Sequence, residues 1–238
     1  MTGIAISNEP LAPATANPFS RKWLTRLAVL SVIGLTVYWF RAPILEQTAR
    51  VFIVDEDPAD ATHVLLYSGD RKHQIGLEMW QNNSDRVVML PHRRLRRTER
   101  MGLVQSREEH HRLFLLKAGV PPDHIAVLPN EVRDDWEFAD SLSAWLAHHP
   151  RAQVAVVCER ISTRKLAQVL ADVLGPYRRR IRIVALPNSE YDETNWWHTK
   201  SGMLAVLHST FQLAYFTFLP RRPPAPEWDP DSYEGSLK

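Results

Sequence analysis

Residues 63–71 read His63-Val64-Leu65-Leu66-Tyr67-Ser68-Gly69-Asp70-Arg71, and the fold follows from this stretch. A near-continuous apolar run, too short for a helix and bounded by Ser-Gly-Asp, predicts a strand buried on both faces. A helical pattern follows at once, with Ile75, Leu77, Met79 and Trp80 as its apolar members. A buried strand leading into a helix is the repeating unit of parallel sheets, whose strands need a crossover to return to the same edge.

Working outward, the alternation recurs. Residues 86–90, 124–128, 153–157 and 181–186 are four more short apolar runs, the first of them stopped by Pro91. Between them lie helical patterns. Residues 105–118 start with Ser106-Arg107-Glu108-Glu109, a capping box in which serine and glutamate satisfy each other's backbone donors, and stop at Gly119. Asp134-Asp135-Trp136-Glu137 opens a helix carrying Phe138, Leu142, Trp145 and Leu146. Ser162-Thr163-Arg164-Lys165 opens another, with Leu166, Val169, Leu170, Val173 and Leu174 at helical spacing. A last apolar helix covers residues 198–219 and ends at Pro220. Because it carries Lys200, His208 and Gln212, it is expected to pack against the sheet as a cover. The expected fold class is α/β: a Rossmann-like parallel sheet of about five strands with helices on both faces, preceded by one N-terminal transmembrane helix.

That transmembrane helix rests on Leu27–Phe40, LAVLSVIGLTVYWF, which lacks any charge. A span needs roughly 20 residues. The flanks supply them, since arginines near helix ends snorkel and Trp23, Tyr38 and Trp39 suit the interface. A spanning anchor is favoured over a cleaved signal peptide, which would need a small-x-small site after the run, and over a buried core helix. Arg21, Lys22 and Arg26 precede the run, whereas Arg41 and Arg50 follow it, which keeps the N-terminus cytoplasmic and the domain outside. The expected organisation is a cytoplasmic tail at 1–22, an anchor at 23–45, a linker at 46–61, the α/β domain at 62–219 and a Pro-rich disordered tail at 220–238.

Composition narrows the function. Of 238 residues, 45% are hydrophobic and 24% charged, which excludes wholesale disorder. A net charge of +2 argues against a nucleic-acid partner. Cys158 is the single cysteine, so neither a disulfide framework nor a thiolate-rich metal site is available. The pairs His110-His111 and His148-His149 point about 100° apart on a helix, so they cannot form the i, i+4 clamp of zinc sites, and no metal is expected.

Motifs for dinucleotides, P-loops, nucleophile elbows and zinc proteases are absent from the sequence. What remains is geometric. In parallel α/β sheets ligands bind outside the carboxyl ends of the strands, at the switch point between the first strand and the fourth. Gly69 allows close backbone approach there, Asp70 starts a helix and Arg71 offers a planar fork. Ser162 and Arg164 follow the fourth strand. Arg93 and Arg94 belong to His92-Arg93-Arg94-Leu95-Arg96-Arg97, the densest positive run, in the loop after the second strand. The expected ligand is anionic, held bidentately between Arg71 and Arg164. Glu131, Asp134 and Asp135 are carboxylates after the third strand, two of them already explained as helix starts. Trp196-Trp197 is expected to seal the last helix against the sheet.

The order of these features resembles the SanA/YdcF/ElyC-like family of bacterial envelope proteins. An anchor precedes strand, glycine turn and arginine (Ser68-Gly69-Asp70-Arg71). Then come Gly119-Val120-Pro121-Pro122-Asp123-His124-Ile125 and, ahead of the last helix, Tyr191-Asp192-Glu193-Thr194-Asn195-Trp196-Trp197. The chain departs from the family pattern in having one glycine at 69, Ser162 in place of a histidine, and Phe138 in place of an asparagine. The resemblance implies a membrane-anchored domain facing the periplasm of the bacterial inner membrane, working in peptidoglycan or surface-polysaccharide metabolism. From the arginines of the strand-to-helix loops, the expected partners are the cytoplasmic membrane and an anionic small molecule or lipid-linked sugar, and no cofactor is expected.

Overall fold

The computed structural model describes residues 18–218. The tails at 1–17 and 219–238, with the disorder expected of the latter, lie outside the described residues. The chain divides after Ile44 into two units. The first is built on α1 (Pro18–Arg50), whose stretch Lys22–Arg50 is long and apolar enough to cross a membrane, its most apolar 18-residue window having a mean hydropathy of 1.6. Its side chains from Trp23 to Phe40 are exposed, and the Thr36 hydroxyl donates to the Val32 carbonyl, satisfying its polar group within the helix.

The second unit holds five strands: β1 (His63–Leu66), β2 (Val87–Leu90), β3 (Ile125–Val127), β4 (Val154–Glu159) and β5 (Ile181–Leu186). All neighbours run parallel, in the order β3-β2-β1-β4-β5. Helices α2 (Lys72–Asn82), α3 (Arg97–Arg100), α4 (Arg107–Lys117), α5 (Asp135–His148), α6 (Thr163–Leu174) and α7 (Lys200–Phe218) connect or follow them. The five apolar runs are strands because both faces are buried. On one face Leu65, Met89, Val154, Val156 and Ile183 pack against Phe138, Leu142 and Leu146 of α5 and Leu166 and Leu170 of α6. On the other, Val64, Leu66, Val88, Leu90 and Val157 pack against Met79 of α2 and Leu115 of α4. The parallel sheet with helices on both faces agrees with the expected α/β class.

Local signals set the helix ends. Asp134 caps α5, accepting from the Trp136 and Glu137 N–H groups at 2.9 Å. Ser106 caps α4, accepting from the Glu109 N–H at 3.1 Å. The expected return bond is replaced: the carboxylate reaching this turn is that of Glu99, which accepts from the Arg107 N–H at 3.2 Å and the Arg96 N–H at 2.7 Å.

Two parts of the architecture go beyond the expectation. The stretch 46–61, expected as a linker, is bonded to the edge of the sheet. Glu56 donates its N–H to the Ile183 carbonyl and accepts the Ile183 N–H on its carboxylate, both at 2.8 Å, while Asp55 accepts the Ala185 N–H at 2.9 Å. These carboxylates cover the free edge of β5, which would otherwise present unpaired N–H groups. The cover expected of the last helix is also incomplete. Gly202, Val206 and Ser209 of α7 are buried, Val206 in a cluster with Phe52, Ile161 and Tyr191, but its opposite face is exposed. The helix packs chiefly on α6 and on the turn after β4, and Phe216 also packs against the core cluster of one sheet face, beside Trp136.

Candidate functional site

The order of strand addition reverses between β1 and β4, so their carboxyl ends open the crevice where parallel sheets take ligands. On the β1 side the turn after Tyr67 passes through Gly69 at φ +113°, where a Cβ would lie 2.5 Å from Leu186 Cδ2. Only glycine lets the turn pass this close to the end of β5. On the β4 side, Ser68 Oγ donates to Cys158 Sγ at 3.2 Å and accepts the Glu159 N–H at 3.2 Å, tying the two strand ends together.

Three adjoining cavities lie over this edge. One of about 180 Å³ is lined by Tyr67, Gly69, Lys72, Arg93, Arg107 and His111 among others. A second, of about 190 Å³, is lined by Tyr67, Arg93, Asp135, Ser162 and Lys165. The largest, of about 550 Å³, holds seven arginines against Glu99 and Glu108. Arg93 borders all three. Its position follows from the extended chain after β2. His92 accepts the Val132 N–H on its carbonyl, Arg94 donates its N–H to the Val132 carbonyl, and Arg93 itself forms a parallel bridge to Val132. Side chains alternate along such a segment. His92 thus reaches Glu108 at 2.8 Å, while Arg93 turns to Tyr67.

Positive charge converges on one backbone oxygen. The Tyr67 carbonyl accepts from Arg93 Nη2 at 2.9 Å and from Lys72 Nζ at 3.2 Å. Burial, reinforced by the nearby Arg93 and Arg107 guanidinium groups, pulls the Lys72 ammonium down to about 8. Arg93 Nε is buried and has no hydrogen-bond partner among the described residues. An anion entering here would meet donors already aimed and incompletely satisfied. The opposite wall is internally paired. The Tyr67 hydroxyl donates to Asp135, whose other oxygen lies 2.6 Å from Lys165 Nζ. Burial pushes the Cys158 thiol up to about 12, which disfavours its thiolate.

The crevice collects Gly69, Arg93 and Ser162 of the residues expected from sequence, and Arg94 lines the arginine-rich groove. Asp70, Arg71 and Arg164 line none of these cavities. Asp70 accepts the Ser189 N–H at 3.2 Å and the Ser189 hydroxyl, tying the loop after β1 to the loop after β5. Burial works against its charge, but these bonds outweigh it and hold the carboxyl below its ordinary range. Arg71 is exposed and pairs with Gln74 at 3.0 Å along its own helix. Arg164 is turned away by helix geometry. Ser162, Lys165 and Leu166 share the crevice face of α6, whereas Arg164 donates its backbone N–H to the Phe52 carbonyl. Arg71 and Arg164, the pair expected to hold the ligand, are therefore not brought together at the crevice, whereas Arg93 and Lys72 are.

Sequence reasoning missed Tyr67, Lys72, Arg107 and Lys165. Lys72 had a signal, as the basic residue at the first helical position after the glycine turn. Asp135 had one too: of two adjacent acids at a helix start only one can cap, which leaves the other for a different partner. The β5 side of the edge is closed by its own bonds. Glu159 accepts from Asn188 at 3.1 Å and from the Tyr191 hydroxyl, and Arg160 pairs with Glu193 at 2.7 Å. Among the described residues no group of three or more His, Cys, Asp or Glu side chains is placed to hold a metal ion. Compared with protein-family models, with curated proteins and with solved structures, the chain matches none.

Proposed function

We propose that this chain is a membrane-anchored envelope protein whose α/β domain, held outside the cytoplasm, binds an anionic, phosphate-bearing envelope precursor or polysaccharide-related ligand. The carrying observation is the convergence of Lys72 and Arg93 on the Tyr67 carbonyl at the switch point of the sheet. The apolar helix α1 and the resemblance in motif order to the SanA/YdcF/ElyC-like family support the anchor and the compartment. The adjoining arginine-rich groove supports a ligand with more than one anionic group, because Arg93 is common to both spaces.

A second reading, a weakly active enzyme of peptidoglycan or surface-polysaccharide metabolism, is favoured by one feature. With its ammonium at about 8, Lys72 is poised to exchange a proton near neutral pH beside a bound anion. The test is a thermal-shift series with inorganic phosphate, pyrophosphate, phosphorylated glycans, lipid-linked sugars and nucleotides, followed by product analysis of any that bind. Stabilisation without turnover supports the binding reading, and turnover supports the enzyme. No stabilisation by any of them refutes the anion site. A phosphatase fusion after Lys238 tests the compartment, and is active only if the C-terminus lies outside the cytoplasm.

A further inference from the structure

Helix α7 presents two unlike faces. Gly202, Val206 and Ser209 are buried against the domain. On the outer side Met203, Leu204, Leu207, Phe211, Tyr215 and Phe218 form a continuous stripe along the full helix. Phe211 is 67% exposed and Phe218 84%. A helix face turned to water ordinarily carries charge. Here Lys200 is the single charged residue among nineteen. Contiguous exposed apolar surface of this kind marks a binding face.

We infer that the outer face of α7 lies on the lipid bilayer, seating the domain against the membrane in which its own anchor resides. Three observations select lipid as the occupant. First, the foot of α7 is bonded to the stretch where the apolar run of α1 has just ended. Trp196, four residues before α7, donates its indole Nε1–H to the Leu45 carbonyl at 3.1 Å. Leu45 stands five residues beyond Phe40, a helical rise of about 7.5 Å. The foot of α7 is therefore tied to a residue that follows the apolar run by only five positions in the chain. Second, Trp196 and Trp197 stand at this foot in edge-to-face contact, and indoles favour the water–lipid boundary. Third, residues 194–226 contain no Asp or Glu, while Lys200, Arg221 and Arg222 are basic, which suits anionic headgroups. The inference rests on α1 being the anchor, so its test reads the two separately.

The full chain is reconstituted in vesicles of phosphatidylethanolamine and phosphatidylglycerol and labelled with an environment-sensitive fluorophore at one introduced cysteine. Cys158 is buried, its thiol pushed up to about 12, and does not compete for label. Phe211→Cys and Leu204→Cys report on the α7 face, Ala144→Cys on an exposed position of α5, and Val32→Cys on the anchor. Bilayer docking requires loss of emission with brominated lipid and protection from aqueous iodide at 204 and 211, with the reverse at 144. Iodide quenching at 211 overturns the inference. Protection from both quenchers at 211 also overturns it, because protein would then cover the face, either a second copy or the tail beyond residue 218. The label at 32 decides the anchor independently: lipid contact at 211 with iodide access at 32 would keep the docked face and discard the span.

Discussion

The Arg93 guanidinium engages Tyr67 at two points, donating from Nη2 to its carbonyl at 2.9 Å while Cζ lies 4.9 Å from the centre of its ring. The contact joins the loop after β2 to the end of β1, and it leaves Nε buried without a hydrogen-bond partner among the described residues. Arg93→Ala and Lys72→Ala should each weaken pyrophosphate binding at least tenfold, the loss of one charge-assisted contact of about 1.5–3 kcal/mol. Arg71→Ala and Arg164→Ala should leave it nearly unchanged. Isothermal titration of the four variants checks the assignment, and the opposite ranking would restore the Arg71–Arg164 pair.

Lys72 should make stability and anion binding move in opposite directions with pH. Its folded ammonium sits at about 8 against an ordinary 10.5. Between those values the unfolded chain holds more protons, so stability rises with pH through that window and is lost as pH falls back through about 8. Anion affinity should instead fall above pH 8, as the charge disappears. Lys72→Arg keeps its charge and should hold affinity to higher pH. Denaturation midpoints and pyrophosphate titrations from pH 7 to 11 read both trends.

On the acid side the sign is the same but the residue differs. Burial, aided by Lys72 and His73, pulls the His111 imidazole down to about 4 from 6.5. Its contribution is present above pH 6.5 and is lost as pH falls towards 4. His111→Gln should flatten the stability profile across that interval. An unchanged slope would show that the imidazole is solvated.

Gly69→Ala should destabilise by about 1–3 kcal/mol from backbone strain, with a further cost from the Leu186 contact. Gly119 supplies the control, since it also has a positive φ but opens onto free space. Gly119→Ala should therefore cost less than Gly69→Ala by chemical denaturation, and only the variant at 69 should lose pyrophosphate binding.

Arg86 is 8% exposed and donates to the carbonyls of Ala61, Met79 and Pro58 at 3.0–3.2 Å. Arg86→Ala strands these acceptors and should cost at least about 2 kcal/mol. Arg86→Lys should recover part of that cost, because an ammonium reaches fewer of the diverging carbonyls. Equal stability of all three proteins by urea denaturation would contradict this role.

The sheet was legible because each strand is an apolar run between turn residues, and because parallel strands buried on both faces leave no polar alternation to confuse the pattern. The caps at Ser106 and Asp134 were legible for a related reason: capping is chemistry within three residues. The crevice between β1 and β4 followed from topology. Side-chain direction did not. Arg164 and Lys165 are neighbours in sequence, yet a turn of about 100° per residue puts only the second in the crevice. Arg93 and Arg94 were indistinguishable until the bridge to Val132 set the alternation of that segment. Lys200, His208 and Gln212 marked α7 as a cover rather than a span, but they did not show which face stays exposed, and the large apolar side chains are the ones left there.

The carboxylates covering the β5 edge also govern when the domain can close. Glu56 waits for an N–H 127 residues downstream, and Asp55 for one 130 residues away. At synthesis rates of about 5–20 residues per second, the two halves of this contact emerge roughly 6–25 s apart. The earliest segment of the domain therefore finds its partner only when the last strand arrives. Contacts of such sequence separation slow folding through the entropy of closing the intervening chain. The nascent domain stays open at this edge until β5 has been synthesised, and closure of the edge is a late, long-range event within the sheet.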